Sequence, residues 1–358
     1  MGFSFPAEWE PQEGTWFSWP RPEGISFPDK YHTVPTTIAA IVHEIAHRQN
    51  VHINVPNENY ERIVREQLLA GGVPTALLDR RVSFHFIPTN EAWCRDHGPA
   101  FLVHRGMKRV AIVDWGFNAW GGKYPPFDAD DAVPTQIGKI VRGPKGAKVR
   151  VYHTPIIMEG GSVDFNGRGT VLTTEQCLLH TNRNPKLNQV QIEQALKDFY
   201  GQAHVVWLGE GIEGDDTDGH VDDLARFIDP RTVVVGVEED TKDKNFKPLR
   251  ECVRRLQLAR DQDGKPFRVV EVPMPGRIEH DGQRLPATYM NFLFVNGAVL
   301  VPTYRTKKND ARVLETFRGL LPKHEVVGID CVELIWGLGS IHCLTQQVPK
   351  GALVRTGS

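Results

Sequence analysis

The sequence predicts an α/β protein in which five similar units close into a ring around one central site. Helical periodicity near residues 36–48, 59–70, 186–200, 242–260 and 309–320 alternates with short β-branched and aromatic stretches. Five segments share one outline: a polar turn, a first strand, a turn with Gly, Pro or Asp, and an apolar second strand. Each unit buries its apolar strand only against its neighbours, so the five units are expected to close on one another.

The five segments begin at widely separated positions. Successive starts are roughly 50–70 residues apart, within or just above the spacing of propeller-like repeats. Four of the five starts carry residue types that are common in catalysis, so these residues are expected to meet at the centre. The segments are DHGPAFLVHRGMKRVAIVDW from Asp96, EGGSVDFNGRGTVLTT from Glu159, GHVDDLARFIDPRTVVVGV from Gly219, TYMNFLFVNGAVLVPTY from Thr288 and GSIHCLTQQVPKGALV from Gly339.

The composition describes an ordinary globular protein, and the uninterrupted pattern predicts a single domain over residues 1–358. With a net charge of -2 the chain has no basic field, so nucleic acid is not expected as a partner. No apolar run approaches the roughly 20 residues of a membrane span, and the first residues lack a secretory signal pattern. The five cysteines have no paired spacing, which predicts free thiols and a cytoplasmic location.

Cys343 is the first candidate nucleophile. It lies in WGLGSIHCLTQQ, where Gly337 and Gly339 let the backbone approach a ligand closely or take a positive φ. On an extended strand His342 would point away from Cys343, so the general base is expected elsewhere. The alternative is a buried cysteine that only packs in the core.

A second candidate group lies in GDDTDGHVDD, residues 214–223. On a strand, His220 and Asp222 would point to the same face and Asp223 to the other. A histidine can protonate a leaving amine and then take a proton from water, and a neighbouring carboxylate can bind a cation. A solvated acidic turn and a His–Asp metal site are the alternatives. The overlapping GEGIEG pattern is crowded with acids, which argues against a dinucleotide site.

A third candidate group lies in NEAWCRDHGPAF. Asp96 follows Trp93 by three residues, and a carboxylate beside an indole suits a planar cation. A turn-capping acid beside a core tryptophan is the alternative. Cys94 is a rival nucleophile, because Arg95 beside it can favour the thiolate.

Glu159 precedes two glycines in IIMEGGSV. Buried at the centre, it can orient His220 or contact a second edge of a substrate; otherwise it is a turn acid. A thiol, an imidazole and two or more carboxylates suit hydrolysis of a guanidinium group. The carboxylates hold its nitrogens, the thiolate adds to its carbon, and the imidazole transfers the protons. This chemistry requires neither a metal nor a cofactor.

Six motifs together resemble those of the agmatine deiminase / Porphyromonas-type peptidylarginine deiminase family of the guanidine-modifying (pentein) superfamily. In chain order they are FPAEWEPQEGTWFSWP, NEAWCRDHGP, EGGSVDFNGRGTVLTTEQCLLHTNRNP, DDTDGHVDD, PMPG and GSIHCLTQQ, which span most of the chain. The resemblance implies a five-bladed, pseudo-symmetric α/β propeller of ββαβ-type units around a central active site. It also implies these roles: Cys343 as nucleophile, His220 as general acid and base, Asp96 and Asp222 as the guanidinium clamp, Glu159 in support, and Trp93 near the substrate.

The resemblance further implies hydrolysis of agmatine to N-carbamoylputrescine and ammonia through an S-alkylthiouronium intermediate, with Asp216 near the terminal ammonium. Two departures bear on the substrate. Leu338 stands where the family usually has a third glycine, and the segment 277–288 is shorter than in agmatine-specific members.

Alternative activities remain open from the sequence. They are deimination of free or peptidyl arginine or of another guanidine, amidino transfer on the same fold, and a His/Asp metallohydrolase. For free arginine, Arg95 or Arg226 would bind the α-carboxylate. The expected partner is a small guanidino compound, with no membrane partner, and the sequence leaves homo-oligomer formation open.

Overall fold

The computed structural model describes residues 2–354, in which short sheets are connected by helices. Most strands are short, and their inner residues are buried. Along the chain the strands are β1 (Gln12–Ser18), β2 (Asn50–Val55), β3 (Val82–Phe86), β4 (Ala100–His104), β5 (Arg109–Gly116), β6 (Val141–Arg142), β7 (Arg150–Ile157), β8 (Asp164–Phe165), β9 (Thr170–Thr174), β10 (His204–Leu208), β11 (Ala225–Asp229), β12 (Thr232–Val237), β13 (Arg268–Pro273), β14 (Glu279–His280), β15 (Gln283–Arg284), β16 (Leu293–Val295), β17 (Ala298–Thr303), β18 (Glu325–Asp330), β19 (Thr345–Pro349) and β20 (Leu353–Val354).

The five helices expected from the periodicity are present, with ends shifted by a few residues. They include the helix near residues 186–200, which begins with a capping box between Asn188 and Gln191 and ends at Gly201 with φ +67. The helices are α1 (Val34–Ala46), α2 (Glu58–Ala70), α3 (Thr75–Arg81), α4 (Cys94–His97), α5 (Ala119–Gly122), α6 (Asp128–Asp131), α7 (Val133–Ile140), α8 (Glu175–Leu178), α9 (Gln189–Tyr200), α10 (Phe246–Leu258) and α11 (Lys307–Leu320).

Five sheets in residues 2–354 share one pairing pattern. In each, the first strand is antiparallel to the second, and the second is parallel to the third. A helix connects the second strand to the third, as a parallel pair requires. The sheets are β4-β5-β7, β8-β9-β10, β11-β12-β13, β16-β17-β18 and β19-β1-β2, the last extended by β3.

The fifth sheet corrects the expectation for the segment that starts at Gly339. Its second strand was expected near residues 352–354, but β19 pairs with β1 at the start of the chain, with Gln347 opposite Thr15. The C-terminal strand β20 pairs with β6 instead. The two ends of the chain therefore build one sheet together.

A short turn precedes the first strand of each of these sheets, and we call these five segments the lead-in turns. They are α4, the 3-10 turns Gly160–Ser162 and Val221–Asp223, and the turns at residues 289–290 and 341–344. Asp222 and Cys343 lie on these turns and His220 directly precedes one of them, so the strand geometry expected for the three residues is wrong. A turn projects neighbouring side chains in different directions, and residues i and i+1 can therefore serve one site.

Burial in α1 and the state of the cysteines agree with the expectations for a globular protein with free thiols. Nine of the thirteen residues of α1 are buried, and all five cysteines are buried and free of disulfides. Within residues 2–354 no helix is long and apolar enough to cross a bilayer.

The pairing of the chain ends depends on Trp16 of β1, which is fully buried. Its indole N–H donates to Asn54 Oδ1 at 2.7 Å, and its ring stacks on His52 and His85. Trp16 lies opposite Gln346 of β19 and His52 of β2.

We expect Trp16→Ala to destabilise the protein by about 3–5 kcal/mol, as large-to-small substitutions of buried aromatic residues do. Urea unfolding followed by circular dichroism measures the change. Val190→Ala on α9, where the side chain is 75% exposed, is the control and should alter stability by less than about 0.5 kcal/mol. If both substitutions changed the free energy of unfolding equally, Trp16 would not be important for the pairing of β1 with β19.

Candidate active site

The lead-in turns bring distant residues to one buried place. Each turn contributes at least one polar side chain there, and each of these side chains is at most 5% exposed. The contributing residues are Asp96 from α4, Glu159 beside the turn Gly160–Ser162, His220, Asp222 and Asp223 from the third turn, Asn291 after the fourth, and Cys343 from the fifth.

Cys343 is held by Asn291, a residue that the sequence analysis did not identify. The Asn291 Nδ2 donates to the Cys343 sulfur at 3.0 Å and to Asp223 Oδ1 at 3.0 Å. Its Oδ1 accepts from the backbone N–H groups of His342 at 2.9 Å and Cys343 at 3.1 Å. The sequence offered one signal for Asn291, its position directly after the one lead-in turn without a predicted catalytic residue.

The Cys343 thiol lies in an acidic environment. Its sulfur is 3.7 Å from Asp222 Oδ2. Burial, together with the charges of Asp222, Asp223 and Asp96, raises the pKa of Cys343 well above its ordinary value. Before a cation arrives, the thiol is therefore protonated.

Asp96 has both carboxylate oxygens fixed by donors. Oδ1 accepts from the Gly161 backbone N–H at 3.0 Å and Oδ2 from the Trp120 indole at 2.9 Å. Trp120 reaches this position from α5, where its φ is +55, a strained conformation for a bulky residue. Burial raises the pKa of Asp96, and the nearby His220 opposes that shift.

Asp222 has one bound oxygen and one open oxygen. Oδ2 accepts from His342 Nδ1 at 2.7 Å, whereas the buried Oδ1 has no hydrogen-bond partner. Burial alone would raise the pKa of Asp222, but the hydrogen bond and charge of His342 lower it below its usual value. This acid is therefore ionised and has an acceptor available for a ligand.

His220 is fully buried, and neither of its ring nitrogens has a hydrogen-bond partner. Nδ1 lies 3.7 Å from Asp96 Oδ1. Burial lowers the pKa of His220, but Asp96, the Cys177 thiol and Glu159 outweigh it and raise the pKa well above the ordinary value. The ring is therefore a proton donor at neutral pH.

Gly161 allows three of these groups to converge. A Cβ at Gly161 would lie 2.6 Å from His220 Nδ1, 2.9 Å from Asp96 Oδ1 and 3.1 Å from Asp222 Oδ1. A glycine is required here because any side chain would occupy the space where the imidazole and the two carboxylates meet.

Glu159 is fully buried and is paired with Arg183, whose Nε donates to Glu159 Oε1 at 2.8 Å. Its Oε2 has no hydrogen-bond partner. A carboxylate oxygen of Glu159, the Cys177 sulfur and a ring nitrogen of His220 lie within 4.8 Å of one another. Glu159 thus lies close to the imidazole and its charge favours the protonated ring, but no hydrogen bond joins the two side chains.

Two sets of side chains have donor atoms close enough to hold a metal ion. They are Glu159 with Cys177 and His220, and Asp222 with Asp223 and Cys343. In the first set the Arg183 guanidinium opposes a second cation beside Glu159. The second set combines two carboxylates with a thiol whose pKa is raised, which suits an organic cation as well as a metal.

A cavity of about 400 Å³ opens onto the Cys343 thiol. Asp96, Trp93 and Trp120 line it near the thiol, and Asp216 lines it farther out. Asp222, His220 and Glu159 are fully buried beneath this surface. The cavity therefore leads a ligand from an aromatic wall to a group of acids.

Asp216 lines the cavity, as expected for a residue that binds a distal cation, but it already has partners. Its carboxylate accepts from the Tyr124 hydroxyl and, at 3.2 Å, from Lys123 Nζ. The same Lys123 ammonium contacts Asp218 Oδ1 at 2.9 Å. A ligand ammonium at this place would share these acids with Lys123.

The two departures from the family pattern both lie at the cavity wall. Leu338 lines the cavity and has φ +69, a conformation that favours glycine. The short segment 277–288 forms the β14–β15 hairpin, and His280 from it stacks on Trp336 with ring centroids 5.0 Å apart. Both features shape the outer part of the cavity rather than the thiol region.

Cys94 and the two arginines considered in the sequence analysis have other roles. Burial raises the pKa of Cys94 to about 12 despite the neighbouring Arg95, so the expected thiolate is not favoured. Arg95 donates to Gln347 and Glu8, and Arg226 donates to Asp164 and Glu8. Neither arginine lines the cavity, so the structure provides no support for them as partners of a substrate carboxylate.

Glu8 is the second residue that the sequence analysis missed. Its Oε2 accepts from Arg226 at 2.9 Å and from His342 Nε2 at 2.7 Å, and its Oε1 accepts from the Phe294 backbone N–H at 2.8 Å. Arg226 and His342 hold the pKa of Glu8 well below its usual range although burial opposes this. The His342 side chain contacts Asp222 and Glu8 and not the Cys343 sulfur.

The family model of the Porphyromonas-type peptidyl-arginine deiminases matches residues 4–349. The agmatine deiminase of Pseudomonas aeruginosa (strain UCBPP-PA14) is 36% identical over 371 residues, covering 97% of this chain and 96% of that protein. The structure of an agmatine deiminase of Enterococcus faecalis, described as catalysing its reaction, has 34% identity, a TM-score of 0.86 and coverage of 98% and 96%. A cysteine-to-serine variant of the C. jejuni agmatine deiminase with substrate bound has 32% identity, a TM-score of 0.85 and coverage of 98% and 97%.

We expect iodoacetamide to modify Cys343 before the other four cysteines in the native protein. The Cys343 thiol lines the cavity, whereas the other four cysteines are 0% exposed. Because its pKa is raised, its modification rate should still be rising with pH above the ordinary thiol range. Peptide mass spectrometry after timed alkylation measures the order in which the cysteines are modified and the pH dependence of the Cys343 rate. Denatured protein, in which all five cysteines react, is the control. First modification at Cys94 would contradict this assignment.

Proposed function

The chain belongs to the Porphyromonas-type peptidyl-arginine deiminase family, and on that premise we propose that it hydrolyses agmatine to N-carbamoylputrescine and ammonia. Relatives that carry the name agmatine deiminase match almost the whole chain. The observation that carries the proposal is the convergence of His220, Asp96 and Asp222 at Gly161, beside the Cys343 thiol. This arrangement suits a flat cation with an electrophilic carbon.

In the proposed complex the guanidinium group lies between Asp96 and Asp222. Planar N–H groups match carboxylate oxygens well, and the open Oδ1 of Asp222 provides an acceptor. Trp93 and Trp120 line the adjoining cavity, where aromatic faces favour a cationic ligand. The terminal ammonium of agmatine then extends toward Asp216.

The arriving cation also explains how a thiol with a raised pKa becomes a nucleophile. The acids that disfavour the thiolate in the free protein are partly neutralised when the guanidinium binds between them. The Cys343 proton is then released to solvent, and the thiolate adds to the guanidinium carbon. The acidic site therefore favours the reactive thiolate chiefly when substrate is present.

His220 would transfer the protons of both half-reactions. As an imidazolium it protonates one nitrogen of the tetrahedral adduct on Cys343, so that ammonia leaves and the S-alkylthiouronium intermediate remains. The neutral ring then takes a proton from water, and the resulting hydroxide adds to the same carbon. The thiolate leaves and the new hydroxyl group loses its proton to solvent, which gives the neutral carbamoyl product. Glu159, fixed by Arg183, would favour the protonated form of the ring through its negative charge.

The predicted five-bladed propeller is also part of this proposal. Five sheets with one pairing pattern, together with the joining of β1 to β19, support a single domain built as a five-bladed α/β propeller around the site. The cytoplasmic location and the homo-oligomeric state remain predictions.

We expect the protein to release ammonia from agmatine faster than from free arginine, a peptidylarginine or shorter guanidines. Cys343→Ala should abolish turnover while leaving the fold intact, because the smaller alanine side chain fits in the place of the thiol. A chelator should leave the rate unchanged, whereas iodoacetamide should remove it. Loss of activity with the chelator and retention with iodoacetamide would favour the metallohydrolase alternative.

The covalent intermediate is tested by rapid quenching of a His220→Ala variant with agmatine. Mass spectrometry should find an adduct of the substrate on Cys343, because the variant lacks the imidazole that assists both the release of ammonia and the attack of water. An adduct on Cys94 would overturn the assignment of the nucleophile.

We expect Asp96→Asn and Asp222→Asn each to lower kcat/KM by about 100-fold or more, in the range found when one charge-stabilising group is removed from an active site. Steady-state ammonia release measures the effect. Asp79→Asn on α3, whose side chain is 63% exposed, is the matched control and should behave like the wild type. A near-normal rate in either active-site variant would remove that acid from the clamp.

A further inference from the structure

The His342 ring lies between two carboxylates, and both of its nitrogens are engaged. Nδ1 is 2.7 Å from Asp222 Oδ2 and Nε2 is 2.7 Å from Glu8 Oε2. The side chain is 2% exposed, so water does not replace either contact. The result is a linear chain of carboxylate, imidazole and carboxylate that ends at the candidate guanidinium clamp.

The hydrogen-bond geometry determines how many protons Asp222, His342 and Glu8 share. A neutral imidazole has a single N–H and can donate only one hydrogen bond. Two short contacts to carboxylates therefore require two protons among the three groups. Glu8 also accepts from Arg226 and from the Phe294 backbone, and the pKa values of both Glu8 and Asp222 are lowered. Both protons therefore belong to the imidazole ring.

We propose that His342 is a positioning residue, an imidazolium that fixes one oxygen of Asp222 and so leaves the other oxygen free for the guanidinium of the substrate. This inference rests on the proposed function, because it assigns the free oxygen to a guanidino ligand. His342 does not itself reach the cavity, whose wall includes Cys343 but not the preceding residue.

Glu8, at one end of the row of carboxylate, imidazole and carboxylate, is held by several hydrogen bonds. Glu8 is held by Arg226, by the Phe294 N–H and, at 3.4 Å, by Arg95. Its fixed carboxylate sets the tilt of the imidazole ring, and the ring sets the rotation of Asp222. Without that bond Asp222 would be free to turn both oxygens toward the Cys343 thiol, which already lies 3.7 Å away.

The backbone of His342 couples this anchor to the nucleophile. Its N–H donates to Asn291 Oδ1 at 2.9 Å, and the same oxygen accepts from the Cys343 N–H. The side chain orients Asp222 and the backbone helps fix the turn that carries the thiol. A single residue thus sets the distance between one arm of the clamp and the nucleophile.

Two amide substitutions separate the two contacts. In His342→Asn the amide nitrogen replaces Nδ1 and can still donate to Asp222, whereas in His342→Gln it replaces Nε2 and reaches Glu8 only. We expect His342→Gln to lower kcat/KM by about 100-fold, the scale of a misplaced catalytic group, and His342→Asn to retain at least ten times the activity of His342→Gln. The melting temperatures of the two variants should be similar. Activity of His342→Gln equal to or above that of His342→Asn would overturn the proposal.

A spectroscopic measurement on the wild type does not depend on the folding of either variant. The 15N spectrum of histidine-labelled protein should contain a ring with both nitrogens protonated that is still present in His220→Ala, which removes the other expected imidazolium. Assignment to His342 comes from its loss in whichever of the two amide variants folds, or from through-space contacts of the ring protons in the wild type. A His342 ring with one bare nitrogen would overturn the proposal.

The two proposals fail in different ways. If the wild type does not convert agmatine, the proposed substrate is wrong, and the variants are compared on the guanidine of the panel that is converted. If agmatine is converted but the two amide variants lose activity equally, the positioning role of His342 is wrong and the proposed function stands.

Discussion

The fold depends on the pairing of one buried acid, Glu8. An ionised carboxylate inside a protein is tolerated only when charged and hydrogen-bonded partners surround it, and removing a partner of a buried pair costs about 3–5 kcal/mol. Glu8 lies before β1 and contacts three side chains and one backbone group from four different sheets or their lead-in turns. The contacted residues are Arg95, Arg226, Phe294 and His342.

The remaining sheet joins this network through Asp164. This residue of β8 accepts from Arg226 Nε at 2.9 Å and from the Phe227 N–H at 2.7 Å. All five sheets are therefore tied to one group of buried charges directly beneath the candidate active site. A change in the relative position of two sheets would break a buried ion pair, so the same charges that hold the sheets together also hold the geometry of the site.

The site itself places three acids close to the Cys343 thiol. Asp96, Asp222 and Asp223 lie near a thiol whose pKa they raise, and their nearby positive partners within the described residues are His220, His342 and the arginines beneath. In the proposed function, a bound cation would offset the charge of these acids. Affinity for a cationic substrate and activation of the nucleophile would then have the same electrostatic origin.

Local sequence patterns determined five of the helices, four of the five hairpins, and several of the polar groups near Cys343. These features depend on periodicity, on turn residues and on motifs in which the relevant side chains lie close together in the chain. Only the tertiary structure decided that β1 pairs with β19, that Asn291 holds the thiol, and that Glu8 lies beneath the site against His342. These contacts join residues that are more than fifty and up to more than three hundred positions apart. No local propensity encodes such a pairing, because its stability arises from burial and charge compensation that exist only once the sheets have assembled.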